Sequence, residues 1–110
     1  MGSKSDTTYM AKALTEIELI KQFTNGLTYE QYISDVETIY ATMFALQQLV
    51  EHIKSLSNEF KQEHNEIPWI EIVGFRNRIV HEYGKTDYTT VFEIITNGIY
   101  QLKELFESCI

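Results

Sequence analysis

Cysteine, proline, long apolar runs and positive charge are all scarce in this chain, and each scarcity removes a class of structure or function. Cys109 is the only cysteine, so neither an intrachain disulfide nor a cysteine-based metal site is expected, and a reducing cytoplasm fits. Pro68 is the only proline, which leaves long stretches free to form helix without a break. No apolar run approaches the roughly 18 residues of a membrane span, and the polar opening Met1-Gly2-Ser3-Lys4-Ser5-Asp6 lacks the apolar centre of a signal peptide. Neither a membrane nor secretion is therefore expected. Nine Lys and Arg stand against sixteen Asp and Glu, for a formal net charge of −7. Such a surface cannot coat nucleic acid through bulk charge, because phosphate binding normally needs a basic face. Any RNA contact must be local.

What the chain does contain is helical periodicity. Its 110 residues, 44% of them hydrophobic, suffice for one modest core, and residues 1–110 are read as a single domain. Met10, Ala13, Leu14, Ile17 and Ile20 fall on one side of a helix expected from about Thr7 to Phe23. Asn25-Gly26 ends it with residue types that tolerate a left-handed backbone, and Thr28 with Gln31 three places on resembles a capping box. From there Tyr32, Val36, Ile39, Met43, Leu46, Val50, Ile53 and Phe60 predict a second helix of about thirty residues, uninterrupted by Pro or Gly.

The polar run Lys61-Gln62-Glu63-His64-Asn65 breaks that pattern, and Pro68 suits the first turn of a third helix, where its missing N–H would be unpaired anyway. Gly84 ends or bends the third helix, and Asp87 can cap a fourth built on Val91, Ile94, Ile95, Ile99, Leu102, Leu105 and Phe106. No β-strand or internal repeat emerges. Short connections favour antiparallel neighbours, so the expected fold is all-α, an antiparallel up-and-down four-helix bundle.

Chemistry concentrates in the third helix, Ile72-Val73-Gly74-Phe75-Arg76-Asn77-Arg78-Ile79-Val80-His81-Glu82-Tyr83. Trp69, Ile72, Val73, Ile79 and Val80 form its apolar stripe, of which Trp69, Ile72, Ile79 and Val80 are expected to be largely withdrawn from solvent, and Arg76 and Tyr83 lie within that stripe. At about 100° per residue, Tyr83 returns to within about 20° of Arg76, Asn77 stacks with His81, and Arg76 and His81 diverge by roughly 140°. One helix cannot aim both at the same atom. Two copies packed about a two-fold axis could, with Arg76 of one approaching His81 of the other, so a homodimer with a composite pocket is expected. Arg76, Arg78 and Lys85 make a small basic island around His81.

Arg76, four intervening residues, His81, one residue and Tyr83 resemble the signature of the HEPN superfamily, and within it the HepT-like ribonuclease toxins. The resemblance extends to Phe23-Thr24-Asn25-Gly26-Leu27-Thr28-Tyr29-Glu30, Asp35, Leu56-Ser57 and Glu66-Ile67-Pro68-Trp69. It departs in the middle helix, where the family commonly has Ile-Gly-Glu-Ala and an earlier arginine. Here the positions read Leu49-Val50-Glu51-His52, with Phe44 in the arginine's place.

The resemblance implies a metal-independent endoribonuclease, the toxin of a type VII-like toxin–antitoxin pair, whose antitoxin is an MntA-like nucleotidyltransferase. It further implies that Tyr83 receives AMP from that partner, which would fill the pocket with bulk and negative charge. In this reading His81 is the general acid or base toward the RNA 2′-hydroxyl or the leaving 5′-oxygen. Arg76 stabilises phosphorane charge, Asn77 positions His81 or the phosphate, and Arg78 and Lys85 contact RNA.

Plainer readings stand beside these. Arg76 could be a structural ion-pair partner, of Glu51 for instance, His81 a surface histidine, and Tyr83 an interface or core tyrosine. His52 and His64 read as surface residues. The three histidines have no ligand spacing, so no metal or other cofactor is expected. Two other functions remain open: a non-catalytic module that docks a nucleotidyltransferase and presents a nucleotide or substrate to it, and an inert helical scaffold.

Overall fold

The computed structural model describes residues 4–81 and 88–109; of Phe75, Arg78, Ile79, Val80, His81 and Thr90 it describes the backbone alone. Every regular element among the described residues is a helix: α1 Lys4–Thr24, α2 Tyr29–Ile33, α3 Val36–Lys54, α4 Asn58–Glu63, α5 Trp69–His81, α6 Tyr88–Glu93, a π-helical turn Ile94–Gly98, and α7 Ile99–Glu107. None of these helices is long and apolar enough to cross a membrane.

Local chemistry explains the boundaries. Gly26 follows α1 at φ 75°, a left-handed conformation that an L-residue adopts only with strain. The capping box forms: Thr28 Oγ1 accepts from the Gln31 backbone N–H at 3.2 Å, and Gln31 Oε1 accepts from the Thr28 N–H at 2.9 Å. The expected thirty-residue second helix is in fact three helices. Asp35 stops α2 and starts α3, its carboxylate accepting from the Thr38 N–H at 3.2 Å and the Thr38 hydroxyl at 2.8 Å. Those bonds hold the carboxyl below the ordinary aspartate range, the hydroxyl bond foremost. Ser57 then caps α4 by accepting from the Phe60 N–H at 3.1 Å.

Contacts between helices fix the directions. The buried carboxylate of Asp6, near the start of α1, accepts from the Ser57 backbone N–H at 2.8 Å and its hydroxyl at 2.7 Å, just past the end of α3. These two helices therefore run antiparallel. Lys103 of α7 meets Glu18 of α1 at 2.9 Å, and Lys21 of α1 lies 4.7 Å from the ring centre of Tyr100. Numbers rising in one helix as they fall in the other make α1 and α7 antiparallel as well. Trp69 and Ile53 line one groove, and Ile72 and Leu49 another, giving the same relation between α3 and α5. Trp69 also stacks on Phe106 of α7 at 5.9 Å. The expected up-and-down bundle is thus formed by α1, α3, α5 and the α6–π–α7 rod.

Met10, Ala13, Ile17, Ile20, Leu49, Ile53, Ile95 and Phe106 are fully enclosed at its centre. Burying each large aliphatic or aromatic side chain contributes about 1.5–3 kcal/mol. One polar group is handled internally: the Tyr32 hydroxyl meets Thr42 Oγ1 at 2.8 Å, and Thr42 can donate onward to the Thr38 carbonyl at 2.9 Å. Burial pushes the Tyr32 phenol up, so it stays protonated. Val36, expected on the apolar face, is instead exposed with Tyr40 and Phe44 one and two turns on.

Candidate functional site

α5 presents the candidate site. Its start is held rigidly: the Trp69 indole N–H donates to the carbonyls of Lys61 at 3.2 Å and His64 at 3.1 Å, closing the end of α4 over the first turn of α5. Trp69 is buried, as expected, and Ile72 is half-buried against the core. The side chains of Ile79 and Val80 lie outside the described residues, so that part of the expectation is not addressed.

Arg76 is half-buried and Asn77 is exposed. The Arg76 Nη1 donates to Asn77 Oδ1 at 3.1 Å. Asn77 thus engages the arginine; its expected role of positioning His81 or the phosphate involves a side chain outside the described residues and a substrate. The Nε of Arg76 is enclosed and has no hydrogen-bond partner among the described residues. A guanidinium presents five N–H donors in a fixed fork, and an enclosed donor left unused is costly unless something else receives it. The ion pair considered between Arg76 and Glu51 does not form among the described residues; Glu51 lies 3.8 Å from Lys54 instead. Phe44, at the position where the family arginine would stand, is 63% exposed.

α5 runs as continuous α-helix through both Arg76 and His81. Five residues of such a helix turn through roughly 140° and rise about 7.5 Å, so the two positions fall on different sides of the helix. The side chains of Arg78 and His81 lie outside the described residues, as do Tyr83 and Lys85 altogether.

Beside Asn77 the surface opens into a groove of about 460 Å3, lined among others by Ile53, Lys61, Ile70, Gly74 and Asn77. Ile70 is 86% exposed. Among the described residues, a Cβ added to Gly74 would meet nothing within 4 Å. Ile70, Gly74 and Asn77, at steps of four and three, share one face of α5.

Two histidines read as surface residues prove half-buried. His52 lies 3.6 Å from Glu16 and stacks on Tyr9 at 6.5 Å. His64 packs on Phe60 with ring centres 4.6 Å apart. The fold also brings together a group that sequence spacing did not reveal: one ligand atom each of His64, Glu66 and Cys109 lie within 4.8 Å of one another. His64 and Glu66 are separated by one residue, but Cys109 arrives from the far end of the chain, so only the packing of α7 could disclose the trio.

Comparison with known proteins places this geometry in context. The family described as "Ribonuclease HepT-like" matches residues 13–109. The "Probable ribonuclease HepT" of Thermococcus cleftensis is 33% identical over 104 residues, covering 94% of each chain. A protein of Caldanaerobacter subterraneus subsp. tengcongensis, provisionally named an RNase, is 30% identical over 92% of this chain and 90% of its own length. One from Methanocaldococcus jannaschii, also provisionally named an RNase, is 27% identical over the whole of this chain and 95% of its own. No solved structure matches the chain.

Proposed function

The chain belongs to the HepT-like ribonuclease family, and from that premise we propose that it is a metal-independent endoribonuclease whose site is shared across a homodimer in the cytoplasm. The observation that carries this reading is Arg76, a half-enclosed cation braced by Asn77 with a donor left unused among the described residues. Such a group suits a phosphate oxygen, which accepts from a guanidinium in forked geometry. Supporting the dimer are the bare, exposed Ile70 and the open space above Gly74 on the same face as Asn77. Glycine inside a helix costs about 0.5–1 kcal/mol relative to alanine, and nothing among the described residues requires it at position 74. A second helix approaching closely would.

In the reaction, His81 of one protomer takes the proton of an RNA 2′-hydroxyl as the 2′-oxygen attacks the adjacent phosphorus. The bond from phosphorus to the 5′-oxygen breaks, and that oxygen takes up a proton, leaving a 2′,3′-cyclic phosphate and a free 5′-hydroxyl. Arg76 of the other protomer neutralises charge gathering on the phosphorane oxygens, while Asn77 keeps the guanidinium in position. Arg78 and Lys85 hold flanking phosphates, local contacts that work against the chain's net charge of −7. His81→Ala should lower cleavage by roughly 10²- to 10⁴-fold, the usual scale of general acid–base catalysis, with the helical circular dichroism unchanged.

That negative charge and the altered middle helix, Leu49-Val50-Glu51-His52 with Phe44, favour a second reading, a non-catalytic module that docks a nucleotidyltransferase. Cleavage by His81→Ala at the wild-type rate would trace the activity to something other than this site and leave the second reading standing.

The control we propose is that of a type VII-like toxin–antitoxin pair. An MntA-like nucleotidyltransferase transfers AMP to the Tyr83 hydroxyl, releasing pyrophosphate from ATP. Each added phosphate places negative charge beside Arg76 and repels the RNA backbone. Tyr83→Phe should retain cleavage and escape silencing on co-expression with the partner. An unmodified Tyr83 in a fully silenced complex would show that the partner acts by binding alone.

A further inference from the structure

The trio of His64, Glu66 and Cys109 stands apart from the face of Arg76. His64 closes α4, Glu66 lies in the connection to α5, and Cys109 follows the end of α7. α5 climbs away from this corner, and the twelve steps from Trp69 to His81 rise about 18 Å. We propose that the trio binds one divalent cation of the zinc class, with His64 Nδ1, a Glu66 carboxylate oxygen and Cys109 Sγ as ligands.

The geometry is close to what such an ion needs. His64 Nδ1 and Glu66 Oε1 are 3.7 Å apart, and every pair among the three ligand atoms lies within 4.8 Å. Ligands bound tetrahedrally at about 2.0–2.3 Å from zinc stand roughly 3.3–3.7 Å from one another, so side-chain movements that close the widest pair by about 1–1.5 Å complete the set. Nitrogen, oxygen and sulfur together select a borderline-soft ion such as Zn²⁺ or Co²⁺ over Mg²⁺ or Ca²⁺, which prefer oxygen alone. The ligands are also braced. The His64 ring rests on Phe60, its carbonyl accepts from the Trp69 indole, and Cys109 Sγ lies 3.4 Å from the Leu105 carbonyl. Two of the three come from the α4–α5 corner and one from the chain's last turn. A bound ion would therefore clip the end of α7 to the turn that positions α5.

The test uses the full chain, freed of metal by EDTA, dialysed and kept reduced, then titrated with CoCl2. The expected result is saturation at one Co²⁺ per chain with a thiolate-to-cobalt absorption in the near-ultraviolet, displaced by Zn²⁺. Zn²⁺ should also raise the melting temperature by about 5 °C or more, because it binds the folded chain alone. Cys109→Ser should lose the absorption, and His64→Ala and Glu66→Gln, which keep the thiol, should each weaken binding by about tenfold or more. His52→Ala and His81→Ala should bind as wild type. Absence of the absorption at millimolar CoCl2, or wild-type affinity in both His64→Ala and Glu66→Gln, would overturn the proposal, and the latter pair decides even if Cys109→Ser does not fold.

Discussion

At the residue scale, one side chain with a long structural reach is Asp6. Nearly all of it is withdrawn from solvent, and it receives both the backbone N–H and the hydroxyl of Ser57, which in turn caps α4. One carboxylate thereby ties the start of α1 to the α3–α4 corner. Asp6→Ala would leave a Ser57 donor unpaired in a partly buried place, at a cost of about 1–3 kcal/mol, read as a lower urea midpoint with an unchanged slope. A loss within experimental error would mean that water replaces the carboxylate freely. Nothing in the sequence announced this role, since Asp6 stands in a polar opening segment and its partner is 51 positions away. Arg76, in contrast, was legible because a charged residue inside an apolar stripe needs a cause. Its bond to Asn77 was not, because helical azimuths describe Cβ directions and not where a long side chain bends.

At the scale of elements, the sequence identified the four packed helical rods through their apolar spacing, and the Thr28–Gln31 box marked the start of α2. The break at Asp35 was missed because Tyr32, Val36 and Ile39 keep helical spacing straight through it. Periodicity reports which side is apolar, whereas the local competition between a capping carboxylate and the helix ladder decides where a helix stops. The exposure of Val36 follows from that new start. The π-helical turn at Ile94–Gly98 was likewise hidden, since one extra residue in a turn shifts the stripe too little to show in a short window.

Two glycines separate backbone need from tolerance. At Gly26 the positive φ makes alanine strained, while at Gly98, with φ −61°, a new Cβ would meet Ile94 Cγ2 at 3.6 Å, an ordinary contact. Gly98→Ala should therefore stabilise the fold by about 0.4–1 kcal/mol, and Gly26→Ala should destabilise it by at least as much. Thermal melts of the two variants check this, and equal shifts would argue against it.

At the scale of the whole molecule, the proposed shared site needs α5 held in the bundle with one face free. A bundle of this kind holds α5 on two sides, against α3 and, through Trp69 and Phe106, against α7. The face with Ile70, Gly74 and Asn77 is exposed, and it is the face the proposed dimer would use. Arg76 of one chain and His81 of the other are then the pair that must meet. The most direct test mixes two inactive variants, Arg76→Ala and His81→Ala, under conditions of subunit exchange verified by native mass spectrometry. In a mixed dimer one site loses both groups and the other regains both. With half the dimers mixed and one of their two sites intact, cleavage should recover to about a quarter of the wild-type rate. Mixed dimers that form but remain inactive would contradict a site shared between chains.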